Sequence, residues 1–330
     1  MKLLSFEKDG RSAFGAVLGD RVVAFDQLSA GRESAPLLES VDRYLEHLPD
    51  SFERATELLA GMDASRMAGT PLEQVRVLPP IPRPPALLDF GLTPGHLVRS
   101  ARTLLRREFG PLVGGIAALA MKRRIERASR SDTPLYYKGN HLAVIGNGDC
   151  MGWPAYTSYL DIEPELAVVA GNSACEIAGY TIFNDASARD VQFPEMMGSG
   201  PARSKDFADS NGLGPYLVTP DEIPDPLALA VSVTVGDRYT WSGHTAEYTA
   251  HPLEVLRYYE KVFPPRPGTI VGMGTIPGCT GLDNDLWILP GERIEIRMEG
   301  LGTLCQHVPS KIGRLDKSRW KARPELLAYA

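Results

Sequence analysis

The sequence predicts a β-dominated α+β fold, on three observations. From Leu142 to about Val308, short apolar runs such as Leu166-Ala167-Val168-Val169, Ala228 to Val235 and Glu292 to Met298 alternate with turn clusters, the pattern of a sheet-rich domain. Residues 1–28 hold three strand-like runs joined by Asp9-Gly10 and Gly19-Asp20, a hairpin signal. Helical periodicity is confined to Leu37, Leu38, Val41, Tyr44, Leu45 and Leu48 within 36–62, to much of 94–130, and to Pro252 through Val262.

The elements divide the chain. Residues 79–85 read Pro-Pro-Ile-Pro-Arg-Pro-Pro and cannot form regular helix, because proline lacks the N–H and clashes with the preceding turn. The boundary is placed there: a small N-terminal β-rich domain at 1–78, a larger domain at 79–310, and a basic, peripheral tail at 311–330. The helical stretch 94–130 should break near Gly110-Pro111 and Gly114-Gly115. Its arginines (Arg99, Arg102, Arg106, Arg107, Arg123, Arg124, Arg127) read as solvated faces, or more sharply as a basic lid over an anionic substrate.

Composition excludes several classes. The formal net charge is -6, so no nucleic-acid partner is expected, since that footprint is basic. Cys150, Cys175, Cys279 and Cys305 form no C-x-x-C pair, which argues against a zinc ribbon or a disulfide framework; buried, reduced thiols are expected. The N-terminus lacks the apolar core of a signal peptide. The apolar stretch from Pro111 to Met121 falls far short of the roughly 20 residues that span a bilayer. A cytoplasmic protein without a membrane partner is the expectation.

The chemistry-bearing segment is Leu160-Asp161-Ile162-Glu163-Pro164-Glu165-Leu166-Ala167-Val168-Val169. On one strand, side chains at i and i+2 share a face, so Asp161, Glu163 and Glu165 should cluster beside a buried run. Clustered carboxylates at a core edge are costly unless a cation compensates. Oxygen-only ligands favour a hard ion, Mg²⁺ with Mn²⁺ or Ca²⁺ as alternatives, over zinc. Pro164 removes a ladder donor, which should put that strand at an edge or make it bulge. A second segment, Gly179-Tyr180-Thr181-Ile182-Phe183-Asn184-Asp185-Ala186-Ser187-Ala188-Arg189-Asp190-Val191-Gln192, offers Asp185 as a third carboxylate. Arg189 and Gln192 could then face a bound carboxylate.

These motifs, followed in order by Lys205-Asp206-Phe207 and Gly274-Thr275-Ile276, resemble the fumarylacetoacetase superfamily over roughly residues 84–308. The hairpin-rich start resembles the family's small leading domain. The resemblance implies a mixed β-roll and a homodimer through the β-rich part. It also implies a divalent metal held by Glu163, Glu165, Asp185 and, from the segment Leu88-Asp89-Phe90-Gly91-Leu92-Thr93-Pro94-Gly95-His96, by Asp89. His96 would be the base, with Asp285 as the counterpart of the acid that orients it. Lys205 would steady developing negative charge, while Tyr137 and Thr275 would contact substrate beside Arg189. Gly91 stands where fumarylacetoacetases carry a substrate-contacting tyrosine. His141, His244, His251 and His307 have no such context.

The expected reaction is metal-dependent cleavage of a C–C bond in a 1,3-diketone or acylpyruvate-type oxo acid. Decarboxylation, hydration or tautomerisation of a 2-oxo acid are the alternatives, since a shared site does not fix the outcome. The rival from another class is a catalytically silent member of the family, a reading that Gly91 favours and the joint presence of His96, Lys205, Arg189 and Gln192 opposes.

Overall fold

The apolar run Pro164–Ala170 is buried at every position, as a strand covered on both faces must be. In the computed structural model, which describes residues 1–29, 35–60, 62, 69–129, 133–173, 176–198 and 200–329, it lies inside a 12-stranded sheet. Ile177–Asp185 pairs with it on one side and Ile270–Gly272 on the other, both antiparallel. Beyond Ile270–Gly272 the sheet continues with Leu87–Phe90 in parallel and then Tyr136–Gly139. Beyond Ile177–Asp185 it continues with Asn211–Val218. The sheet is therefore mixed, and the fold is the expected sheet-rich α+β.

The expected N-terminal hairpins form as Lys2–Lys8, Arg11–Leu18 and Arg21–Ala24. Asp9 and Gly10 both take positive φ, 52° and 73°, the turn geometry that matches strand twist. Lys2–Lys8 pairs with Asn211–Val218, so the hydrogen-bonded ladder runs without interruption from the leading hairpins into the large sheet. The expected helix within 36–62 divides into Ala35–Leu38, Val41–Glu46 and Asp50–Ala60; part of that range lies outside the described residues.

A second, antiparallel sheet has the order Tyr239–His244, Ala230–Val235, Arg293–Met298, Gly302–His307. Its inward residues Val231, Val233, Val235, Ile294, Ile296, Met298 and Leu304 join Leu166, Val168 and Ile182 of the large sheet in one core. The opposite face of the large sheet buries Ala167, Val169 and Leu213 against Phe25, Leu38, Tyr44 and Leu45.

Several expectations are corrected. The strand from Pro164 is interior, not an edge; Pro164 is its first residue, where a missing N–H costs no ladder bond, and its only register shift falls at the far end, between Val169 and Ala170. Helix breaks at Gly110, between Pro94–Phe109 and Pro111–Ala128, but not at Gly114-Gly115. Gly114 instead allows close packing: a Cβ there would lie 2.2 Å from the Leu105 carbonyl oxygen. Residues 189–196 form a helix with Pro194 inside it, where strands and turns were expected. Of the cysteines, Cys279 is buried, Cys150 is exposed and Cys305 is intermediate; Cys175 lies outside the described residues. The tail is not peripheral, since Ile312, Trp320 and Leu326 are buried. Among the described residues no helix is long and apolar enough to cross a membrane.

Candidate functional site

Three strand ends of the large sheet converge at one edge of the core. Asp89 leaves Leu87–Phe90, Glu165 leaves Pro164–Ala170, and Asp185 ends Ile177–Asp185. The strands bearing Asp89 and Glu165 flank Ile270–Gly272, so their backbones stand about two strand spacings, roughly 10 Å, apart. The register sets Gly272 beside Asp89. A Cβ on Gly272 would lie 2.7 Å from Glu165 Oε2 and 3.1 Å from Asp89 Oδ1. The absent side chain thus makes room for two carboxylates to lean together over the middle strand.

The result is a buried trio. Asp89, Glu165 and Asp185 each bring a carboxylate oxygen within 4.8 Å of the others. Asp89 Oδ1 and Asp185 Oδ1 are buried without a hydrogen-bond partner, an expensive arrangement unless something fills it. Burial, followed by the neighbouring Asp185 charge, pushes the Asp89 carboxyl well above the usual carboxylate range. Burial and then Asp89 do the same to Glu165. Burial also raises Asp185, against the pull of Lys205. Oxygen donors crowded in this way suit a hard divalent cation. Gly274 N and Thr275 Oγ1 donate to Glu165 at 2.9 and 3.1 Å, so Thr275 orients a carboxylate of the trio. Tyr137 OH donates to Asp185.

Glu163 stands at the rim of the trio and gathers cations. Arg189 Nη1 lies 2.6 Å from Oε1 and His96 Nε2 3.2 Å, while Lys205 Nζ binds Oε2. Burial opposes its charge, yet Arg189, Lys205 and His96 together hold it well below the usual range. Lys205 bridges Glu163 and Asp185; burial disfavours its charge, and these two carboxylates more than restore it. Arg189 Nη1 also donates to Gln192 Oε1 at 3.1 Å, and Arg189 Nη2 is buried with no partner. Asp161 is not in the carboxylate cluster. The strand breaks between Asp161 and Pro164, so the i, i+2 argument fails there. Asp161 instead meets Arg189 Nε at 2.9 Å and accepts Gly281 N and Leu282 N.

His96 opens the helix Pro94–Phe109, with proline at its first turn. Its Nδ1 lies 3.0 Å from Asp283 Oδ1. Ser100, one helical turn on, donates to the same Asp283 oxygen at 3.1 Å. Asp283 Oδ2 accepts Gly278 N at 2.7 Å. Burial works against the His96 charge, but Asp283 and then Glu163 outweigh it and lift the imidazole to about 9.

The expectation for Asp285 is therefore corrected. Asp285 is half exposed and binds Arg107 at 2.9 Å through Nε; the acid facing His96 is Asp283. Asp285 takes left-handed φ of 55° just past the short helix Gly281–Asn284, which turns its side chain away. The signal for Asp283 lay in Thr280-x-x-Asp283, a helix-start spacing that Thr280 Oγ1 realises by capping Asp283 N at 2.9 Å. Ser100 was legible as the i+4 neighbour of His96.

The chain is similar to known proteins in sequence and in fold. The family model described as "Fumarylacetoacetate (FAA) hydrolase C-terminal" matches residues 115–309. An uncharacterized protein of Archaeoglobus fulgidus is 30% identical over 182 residues, 52% of this chain and 68% of that protein. Two Staphylococcus epidermidis relatives are matched over about half of their length, 53%. Maleylpyruvate hydrolase from Sphingobium sp. SYK-6, solved with manganese(II) and pyruvate, superposes with a TM-score of 0.66 at 19% identity, covering 94% of this chain and 99% of that one. A 2-keto-3-deoxy-D-arabinonate dehydratase, complexed with magnesium and 2,5-dioxopentanoate, superposes at 0.63 with 22% identity over 94% and 99%. At these identities the structures establish the fold alone.

Proposed function

Since this chain belongs to the fumarylacetoacetate (FAA) hydrolase family, we propose that it is a divalent-metal-dependent hydrolase cleaving the C–C bond of an acylpyruvate or related 1,3-dioxo acid. The observation that carries the reading is the buried trio Asp89, Glu165 and Asp185, with unpartnered oxygens on Asp89 and Asp185, next to the His96–Asp283 pair. Those three residues would hold the cation, Mg²⁺ or Mn²⁺, with Glu163 as the fourth candidate. When bound, the cation would act as a Lewis acid toward the dioxo group.

The chain's own groups supply the rest. The unpartnered Arg189 Nη2 and the amide of Gln192 suit the substrate carboxylate. Asp283 and Ser100 fix the His96 ring. His96 acts as a base in its neutral form, which Asp283 and Glu163 confine to alkaline pH by lifting the imidazole to about 9: the neutral ring takes a proton from water, and the hydroxide adds to the acyl carbonyl carbon. The bond from that carbon to the methylene breaks, and its electron pair stays with the methylene, which regains the proton. The products are a carboxylic acid and pyruvate. Lys205, buried among carboxylates, places a fixed positive charge beside the developing negative one.

Hydration or tautomerisation of a 2-oxo acid is the second reading, supported by the likeness in fold to a 2-keto-3-deoxy-D-arabinonate dehydratase complexed with magnesium. The test is product analysis: chelated protein given an acylpyruvate should release pyruvate and acid only on addition of Mg²⁺ or Mn²⁺. Consumption without pyruvate would favour the second reading; no consumption with any divalent ion would reject both.

A further inference from the structure

Helix Pro94–Phe109 carries Arg99, Arg102 and Arg106 at spacings of three and four, which places them on one face. That face does not pack on the core. With Thr103, Arg107 and the turn at Asp283–Asp285 it lines a cavity of about 670 Å³, within the size range of small-molecule sites. Among the described residues, Arg99, Arg102 and Arg106 enter no ion pair and donate no hydrogen bond. The acids of the wall are already engaged: Asp285 with Arg107, and Asp283 with His96. Three guanidinium charges are thus left uncompensated around one hollow, in a chain whose net charge is -6. Like charges so gathered repel unless an anion joins them, and planar forks match carboxylate and phosphate oxygens.

We propose that this cavity binds a small multivalent anion, one bearing two or more carboxylates or a phosphate group. Arg102 and Arg106 clamp it, Arg99 closes the end nearest Gly278, and Thr103 adds a neutral donor. Asp283 forms both the wall of the cavity and the partner of His96, so an occupant sits directly behind the base. Two sources share the chemistry: the far end of the substrate itself, or a separate anion from solution.

The experiment is calorimetric titration of inorganic phosphate and of citrate into the full-length protein at low salt. It is run on wild type, on Arg102→Ala/Arg106→Ala, and on Glu165→Ala. Both arginines are exposed, so the double variant should keep its fold, which circular dichroism checks. Affinity should fall roughly tenfold for each arginine removed and stay unchanged in Glu165→Ala. Binding that survives the arginine substitutions but disappears in Glu165→Ala would place the anion at the carboxylate trio and overturn the proposal. No heat from either anion at millimolar concentration would overturn it as well, leaving the arginines as a solvated face. These arms do not depend on the proposed reaction. A last arm does: KM for acylpyruvates with and without a terminal carboxylate. A rise in the double variant for the carboxylated substrate alone assigns the site to the substrate's far end; unchanged KM for both, with phosphate binding lost, assigns it to a separate anion.

Discussion

His96 is held from two sides, and the two sides do different things. Asp283 and Ser100 set the ring orientation from behind, while Glu163 meets the face directed at the carboxylate trio. His96→Ala should therefore lower kcat by roughly 10²–10⁴-fold while metal affinity persists. Asp283→Asn should lower turnover in the same direction, and less than additively with His96→Ala, because groups acting as a unit share one function. Asp285→Asn should leave turnover near wild type, since its partner is Arg107; steady-state kinetics on the three variants checks the assignment, and a large loss in Asp285→Asn alone would reverse it. Gly272 gives a further residue-scale test. An added methyl would collide with Glu165, so Gly272→Ala should weaken metal binding roughly 10–100-fold, the range for groups that orient ligands, as read by calorimetry.

At the scale of elements, the C-terminal segment ties together the two helices that carry site residues. Trp320 Nε1 and Arg319 both bind Glu108 near the end of the His96 helix. Ser318 Oγ donates to Asp190, in the helix of Arg189 and Gln192. Arg107 lies over the rings of Tyr159, Trp287 and Trp320 at 5.1, 5.2 and 5.5 Å, and cations over desolvated rings are attracted by their faces. Trp320→Ala should thus destabilise the protein by roughly 3–5 kcal/mol, as for other buried aromatics, and speed amide exchange in 94–109 more than in the sheets. Uniform exchange would show that the tail stabilises without positioning. The strands and hairpins around it were legible in the sequence because turn dipeptides and apolar runs are local signals. The helix at 189–196 was not, because Pro194 is a local argument against it that tertiary packing overrides. Nor was the tail, whose basic composition conceals one tryptophan buried among partners far away in sequence.

For the molecule as a whole, the ordered acidic motifs were a sufficient pointer to family and fold: Asp89, Glu165 and Asp185 each lie near the end of a strand of one sheet, while Glu163 lies in the break before Pro164. What local patterns could not supply was the break after Asp161 and the choice between Asp283 and Asp285, since both depend on a turn more than a hundred residues from the partner it meets. The expectation of a homodimer stands as a proposal. Light scattering at micromolar concentration should give twice the chain mass of 36.0 kDa; the monomer mass would contradict the expectation.

The central claim is that Asp89, Glu165 and Asp185 make a divalent-cation site, and calorimetric titration of Mn²⁺ and Mg²⁺ into chelated protein tests it most directly. The account predicts one ion per chain in the wild type, and no measurable binding in Glu165→Ala or Asp185→Ala variants that remain folded. Unchanged affinity in both variants, or a single zinc held through Cys150 or Cys305, would contradict it.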